Sequence, residues 1–316
     1  MKIGLIDVDG HRYPNLPLMK LSAWHKSQGD SVEWYEPVVS GHMDIVYMSK
    51  VFSFTPDFLY PIDADKIYRG GSGYCIKLID GKEIYDKEND INLPDHIEHI
   101  YPDYSLYPEL TKDTAYGFLT RGCGRGCSFC HVASKEGKRS YKVADLSEFW
   151  SGQKNIVLCD PNILMCKDHM ELLQQLVDSK ARVDFNQGLD IRLVNEQNVE
   201  LIKKIKLKIV HIAYDRWQDK DIIEPRLRAF KEATGYGRSK VTVYILVNYD
   251  TTLEQDLYRI QLCRELGFQP YPMIYDKEHC DLVYKKLQRW CSPFIFWKVP
   301  TFEEYDSSIR NEKLDD

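Results

Sequence analysis

Cys123, Cys127 and Cys130 stand at C-x3-C-x2-C spacing in the run Arg121-Gly122-Cys123-Gly124-Arg125-Gly126-Cys127-Ser128-Phe129-Cys130. Thiolate sulfur is a soft ligand suited to iron–sulfur clusters and to zinc. Gly122, Gly124 and Gly126 let the backbone curl so that the sulfurs converge on one centre. Three ligands from one loop can hold three irons of a four-iron cluster and leave the last iron open. Two other chemistries use the same residues. Cys127-Ser128-Phe129-Cys130-His131 spells C-x-x-C-H, the attachment pattern of a c-type haem, which requires export. Cys123, Cys127, Cys130 and His131 also make a zinc-ligand set, the mark of a zinc-stabilised binding module without redox chemistry. Adjacent Cys130 and His131 are awkward as joint ligands, and such a module has no need of a long α/β series.

The elements around the motif form such a series. Strand patterns fall at Tyr116–Thr120, Asn155–Cys159, Val183–Asn186, Ile209–Ala213, Val241–Val247 and Tyr271–Tyr275. Amphipathic helical stretches lie between them at Asp168–Ser179, Asn195–Lys204, Ile222–Ala233 and Thr252–Leu266, and Thr251 with Glu254 has capping-box spacing. Repeated strand–helix units imply a parallel sheet, and six units fall short of a complete barrel. In such folds the chemistry sits at the carboxyl ends of the strands. Those ends carry Arg121, Asp160 with Asn162, Asn186 with Gln187, Tyr214 with Asp215, Asn248 with Asp250, and Asp276.

The cysteine run resembles the signature of the radical S-adenosylmethionine (SAM) superfamily, C-x3-C-x-aromatic-C after the first strand of a partial (β/α)6 TIM-like barrel. Phe129 occupies the aromatic position, and the resemblance covers about residues 116–276. It implies a [4Fe-4S] cluster on Cys123, Cys127 and Cys130. The open iron of that cluster would bind the amino and carboxylate groups of SAM. One electron passed to the sulfonium gives a 5′-deoxyadenosyl radical, which abstracts hydrogen from a substrate that the sequence does not name. It also implies an electron donor such as a flavodoxin or ferredoxin. Where the family commonly has a Gly-Gly-Glu-like loop after the second strand, this chain reads Cys159-Asp160-Pro161-Asn162. Asp160 can accept from an ammonium, and Asn162 can both donate and accept. Arg192, in Asn186-Gln187-Gly188-Leu189-Asp190-Ile191-Arg192, is a candidate partner for the SAM carboxylate or for Asp190. Gln187, Asp190, Tyr214 and Asp215 are candidates for ribose hydroxyls or substrate.

Ahead of the motif, residues 1–80 read as a small Rossmann-like α/β domain. Lys2–Asp7 is a strand. A helix capped by Asn15 runs to about Gln28 with Gly29 as its stop. Further strands fall at Ser31–Tyr35, Asp44–Met48 and Asp65–Tyr68, the last leading into Gly70-Gly71-Ser72-Gly73. Such a domain resembles that of cobalamin-dependent radical SAM methyltransferases. Their D-x-H-x-x-G signature appears here as Asp9-Gly10-His11-Arg12-Tyr13-Pro14, with proline in place of the last glycine. His11 would ligate cobalt with Asp9 orienting it; the alternative is a degenerate domain that only packs. Asp7-Val8-Asp9-Gly10 is also similar to the nucleophile loop of haloacid-dehalogenase-type phosphatases.

Residues 81–115, with Pro94, Pro102 and Pro108 among Tyr101, Tyr104 and Tyr107, read as a connection packed down by its tyrosines. The barrel takes 116–300 and a tail 301–316, where Asp315 and Asp316 look frayed. The aromatics of Trp290–Trp297 are expected to close the core. The chain has 316 residues, 43% hydrophobic, enough for large cores. Its net charge of −6, from 42 Lys+Arg and 48 Asp+Glu, argues against a broad nucleic-acid surface. No apolar run reaches the ~18–20 residues of a membrane span, and an acid at Asp7 comes too early for a signal-peptide core. The expected location is therefore cytoplasmic. There, Cys75, Cys159, Cys166, Cys263, Cys280 and Cys291 are expected as buried thiols rather than disulfides.

Overall fold

The computed structural model describes residues 1–79 and 82–306. The residues from 307 onward, including Asp315 and Asp316 of the expected tail, lie outside the described residues. By packing, the chain divides into two compact units, Met1–Val183 and Asp184–Asp316. Among the described residues, no helix is long and apolar enough to cross a membrane.

The first unit begins with strand β1 (Lys2–Asp7), helix α1 (Leu16–Ser27), and strands β2 (Ser31–Trp34), β3 (Met43–Ser49) and β4 (Ala64–Gly70). They form a parallel sheet in the order β2-β1-β3-β4. The Asn15 side chain caps α1 by accepting from the Leu18 N–H, and Gly29 takes φ 81° just past its end. Leu18 and Leu21 of α1 bury against Ile3 and Leu5 of β1. That burial of leucine and isoleucine is the main force holding helix to sheet.

The stretch expected as a plain connection carries structure of its own. A hairpin of β5 (Ile76–Ile79) and β6 (Lys82–Tyr85) precedes helical turns at Asp95–Glu98 and Pro108–Thr111. The tyrosines do pack it down. Tyr107 is 3% exposed and donates to the Asp7 carboxylate at 2.7 Å. The Tyr104 hydroxyl donates to the Phe149 carbonyl at 2.6 Å.

The first strand of the long series is shorter than expected. β7 spans Thr114–Gly117, not Tyr116–Thr120. The Leu119 and Thr120 N–H groups are taken by the buried Asp160 carboxylate instead of a neighbouring strand. The chain therefore leaves the sheet and forms β8 (Thr120–Arg121), paired antiparallel with β9 (Tyr141–Lys142). Then follow β10 (Asn155–Leu158), helix α2 (His169–Ser179) and β11 (Arg182–Leu189).

From Asp184 onward the second unit holds most of β11, then α3 (Glu196–Lys204), β12 (Leu207–Ala213), α4 (Lys220–Thr234), β13 (Val241–Val247), α5 (Leu253–Leu266), β14 (Gln269–Ile274) and α6 (Leu282–Trp290). The six-stranded sheet runs β14-β13-β12-β11-β10-β7. Successive strands are neighbours, and right-handed crossovers then put the connecting helices on one face. Along β13, Val241, Val243, Ile245 and Val247 share one face and are fully buried. The capping box of α5 is Thr252 with Gln255, one residue later than Thr251 with Glu254. The Thr251 hydroxyl is used otherwise, donating to Asp256 at 2.6 Å. Trp290 and Phe296 are buried with ring centroids 5.1 Å apart, closing the core as expected, while Phe294 is exposed. Cys280 is the exception among the six other thiols, being only partly buried.

Candidate metal centre

The cysteine loop springs from β8 and is shaped by what its glycines allow. Gly122 takes φ +79°, and a Cβ there would lie 2.1 Å from the Arg139 carbonyl oxygen. Its N–H donates to the Glu136 carboxylate at 3.0 Å, which also accepts from Arg121 Nη1 at 3.0 Å. The Arg121 guanidinium lies 3.4 Å from the Phe118 ring centroid. The Cys123 N–H donates to the Gly137 carbonyl at 3.2 Å, and the Gly124 N–H meets Met165 Sδ at 3.0 Å. Gly126, at φ 59°, makes the second turn, and the Cys130 N–H donates to the Cys127 carbonyl at 3.1 Å.

Cys123 and Cys127 are partly buried, and Phe129 between the last two cysteines is half-buried. Cys130 is exposed as a residue, yet loop atoms packed round its sulfur desolvate it and push the thiol up to about 11. Cys127 and Cys123 add to that shift by repulsion, so the three sulfurs share one neighbourhood. Gathering thiolates in this way is unfavourable until a cation joins them. Among the described residues, no three His, Cys, Asp or Glu side chains converge closely enough to hold a single metal ion. The donor set, all soft sulfur on one glycine-hinged loop, fits an iron–sulfur cluster. His131 turns its Nδ1 to the Glu83 carboxylate of β6, at 2.6 Å.

The segment after β10 supports this loop. Asn162 Nδ2 donates to Cys123 Sγ at 3.6 Å, and the Asn162 carbonyl accepts from Ser140 Oγ at 3.0 Å. Asp160 corrects an expectation. Its carboxylate is buried and accepts from the Thr120 N–H (2.5 Å), the Thr120 hydroxyl (2.7 Å) and the Leu119 N–H (3.1 Å). It fixes the approach to the cysteines and is not offered to a ligand ammonium. Burial pushes its pKa up to about 6 against those hydrogen bonds.

In the second unit, Gln187 is exposed at the end of β11. Arg192 lies between two carboxylates, with Nε 2.7 Å from Asp190 and Nη1 2.7 Å from Asp219. Asp190 is one of the two partners expected for it. Tyr214 and Asp215 depart from their expected place on a ligand surface. Tyr214 is fully buried and donates to Glu224 at 3.0 Å. Asp215 accepts from the Leu246 N–H at 3.1 Å, and burial pushes its pKa up to about 6. Arg259 Nη1 binds the carbonyls of Tyr214 (2.7 Å) and Asp215 (3.0 Å), so both residues belong to the core of this unit.

Compared with known proteins, the chain matches no family model and no curated sequence.

The first sheet corrects the expected role of Asp9. Its carboxylate accepts from the Val51 and Phe52 N–H groups and the Thr55 hydroxyl, holding the turn after β3, and does not orient His11. That use also removes it as a phosphatase acid/base. His11 packs against Trp34, with ring centroids 4.2 Å apart. Sequence reasoning missed Glu136, Met165 and Tyr13. The Tyr13 hydroxyl lies 3.5 Å from Cys159 Sγ at the end of β10. Only Glu136, a carboxylate close behind the glycine-rich run, left a trace in the sequence.

Proposed function

We propose that this chain is a radical SAM iron–sulfur enzyme built on a partial (β/α)6 TIM-like barrel. The observation that carries the reading is the trio Cys123, Cys127 and Cys130 on one glycine-hinged loop, with two of the thiols acting on the third. Parallel strands in sequential order support the barrel, and Phe129 supports the family spacing. A [4Fe-4S] cluster held by these three cysteines would supply the one-electron reduction of SAM from which a hydrogen-abstracting 5′-deoxyadenosyl radical is made.

The chain's own residues hold and shape that centre. Cys123, Cys127 and Cys130 are the ligands. Asn162 donates to Cys123 Sγ, which fixes the position of that sulfur. Glu136 pins Gly122, and Asp160 pins the strand end before it. Gln187 is exposed, and Arg192 is held by Asp190 and Asp219; both stay candidates for SAM by the family resemblance alone. The electron comes from a flavodoxin- or ferredoxin-type donor, and the substrate is a molecule with an abstractable hydrogen.

Anaerobic reconstitution with iron and sulfide tests the reading. The expected result is about four irons and four sulfides per chain, with dithionite and SAM yielding 5′-deoxyadenosine and methionine. Alanine at Cys123, Cys127 or Cys130 removes both. Zinc bound with no iron or sulfide overturns the proposal in favour of a structural zinc module.

A further inference from the structure

The second unit carries a cluster of polar and aromatic side chains on one face of its strands. Strand side chains alternate between faces. Val210 and Ile212 of β12 and Val243 and Ile245 of β13 are all buried on one face. His211 and Tyr244 therefore point the other way, as does Tyr271, which pairs with Tyr244 in register. The rings of His211 and Tyr244 stack at 4.6 Å and 12°, and Tyr271 meets Tyr244 edge-on at 5.5 Å. The Tyr244 hydroxyl donates to the Asn186 carbonyl at 3.1 Å. The stack and that bond leave the His211 ring little freedom to turn.

Two acceptors face one nitrogen of that ring. His211 Nδ1 lies 3.0 Å from the Phe185 carbonyl oxygen and 4.0 Å from Asp184 Oδ1. A carbonyl and a carboxylate both call for hydrogen there, so the neutral ring is the tautomer with its proton on Nδ1 and its lone pair on Nε2. Nε2 makes no hydrogen bond among the described residues, and the side chain is 12% exposed. Asp184 is 7% exposed, its Oδ2 lies 3.3 Å from Lys208, and its Oδ1 has no hydrogen-bond partner among the described residues. Lys208 answers the charge of the carboxylate through Oδ2, while a buried Oδ1 without a donor is costly.

We propose that His211 is the proton-accepting residue of a ligand site on this face, taking a hydroxyl or amino hydrogen of a polar ligand on Nε2. Asp184 is its positioning residue. As the ligand's O–H or N–H bond breaks, the electron pair stays on the ligand's heteroatom and the proton bonds to Nε2. The positive charge of the imidazolium formed faces the Asp184 carboxylate, whose Oδ1 lies 4.0 Å from Nδ1. The site does not depend on the iron–sulfur reading.

The test uses the full chain and diethyl pyrocarbonate, which acylates an imidazole nitrogen only when that nitrogen carries a lone pair. Peptide mass spectrometry follows each histidine. His211 is expected to react faster than His25, whose two ring nitrogens are held by Asp30 and Tyr47. Asp184→Asn slows the reaction several-fold with the circular dichroism unchanged, and Asp184→Glu restores part of it. Nitrogen-15 NMR of histidine-labelled protein is expected to place the proton on Nδ1, and Asp184→Asn to weaken that preference. The proposal fails if His211 stays unreacted while the exposed His42 and His279 are modified. It fails equally if Asp184→Asn leaves both rate and tautomer unchanged, or if the proton is found on Nε2. Iron and sulfide content is unaffected by any of these changes, so loss of this site and loss of the cluster reading are separable.

Discussion

At the scale of single residues, the cysteine loop depends on a backbone conformation that only glycine adopts freely. Gly122 combines φ +79° with a carbonyl 2.1 Å from where a Cβ would be. Gly122→Ala is expected to lose about 1–3 kcal/mol of stability, read by urea unfolding, and to lower iron uptake on reconstitution. Asp215 offers a pH test. Its folded pKa is raised to about 6, above an unfolded value near 3.9. The folded state therefore binds this proton more tightly. The stability it contributes is complete below pH about 3.9 and is lost as pH rises through about 6. Asp215→Asn keeps an acceptor for the Leu246 N–H and carries no charge. Urea midpoints from about pH 4 to about pH 8 are expected to show the variant gaining on the wild type as pH rises. A constant difference across that range would remove Asp215 as the cause. The spacing of Cys123, Cys127 and Cys130 was plain in the sequence. The inward use of Asp160, Tyr214 and Asp215 was not, because a polar residue at a strand end looks the same whether it faces ligand or backbone.

At the scale of elements, side chains settle where strands and helices begin and end. Asp160 captures two N–H groups and so ends β7 early. Thr252 caps α5, with its hydroxyl accepting from the Gln255 N–H. Thr252→Ala is expected to lower stability by about 1 kcal/mol, measured by urea unfolding, and Glu254→Ala to leave it nearly unchanged. The sequence pattern allowed either box, and the hydrogen bond of Thr251 to Asp256 selects the later one. Arg259 ties α5 to the ends of β12 and β13. Its guanidinium serves the carbonyls of Tyr214, Asp215 and Leu246 and pairs with Asp256 at 2.5 Å, all within the core. Arg259→Met leaves Asp256 buried without its partner and is expected to destabilise by about 3–5 kcal/mol. Thermal unfolding followed by circular dichroism checks this, and a drop within error would show the cluster to be dispensable.

At the scale of the whole molecule, a group bound only by the folded chain raises stability by mass action. Protein reconstituted with iron and sulfide is expected to unfold at a higher temperature than the stripped protein, and Cys127→Ala to erase the difference. An equal midpoint for both forms would mean that the loop does not hold its metal in the native state. The sequence alone determined the α/β class, the main strand–helix series and the thiol loop, because hydrophobic alternation, glycine stops and ligand spacing are local. The tertiary structure decided which polar side chains are committed to backbone and which remain for chemistry. Asp184, Phe185, His211 and Tyr244 come together only when three strands align, and Asn162 reaches Cys123 only once β10 and the cysteine loop are in place. Partners far apart in the chain are chosen by the packing of the sheet, and no local pattern records that choice.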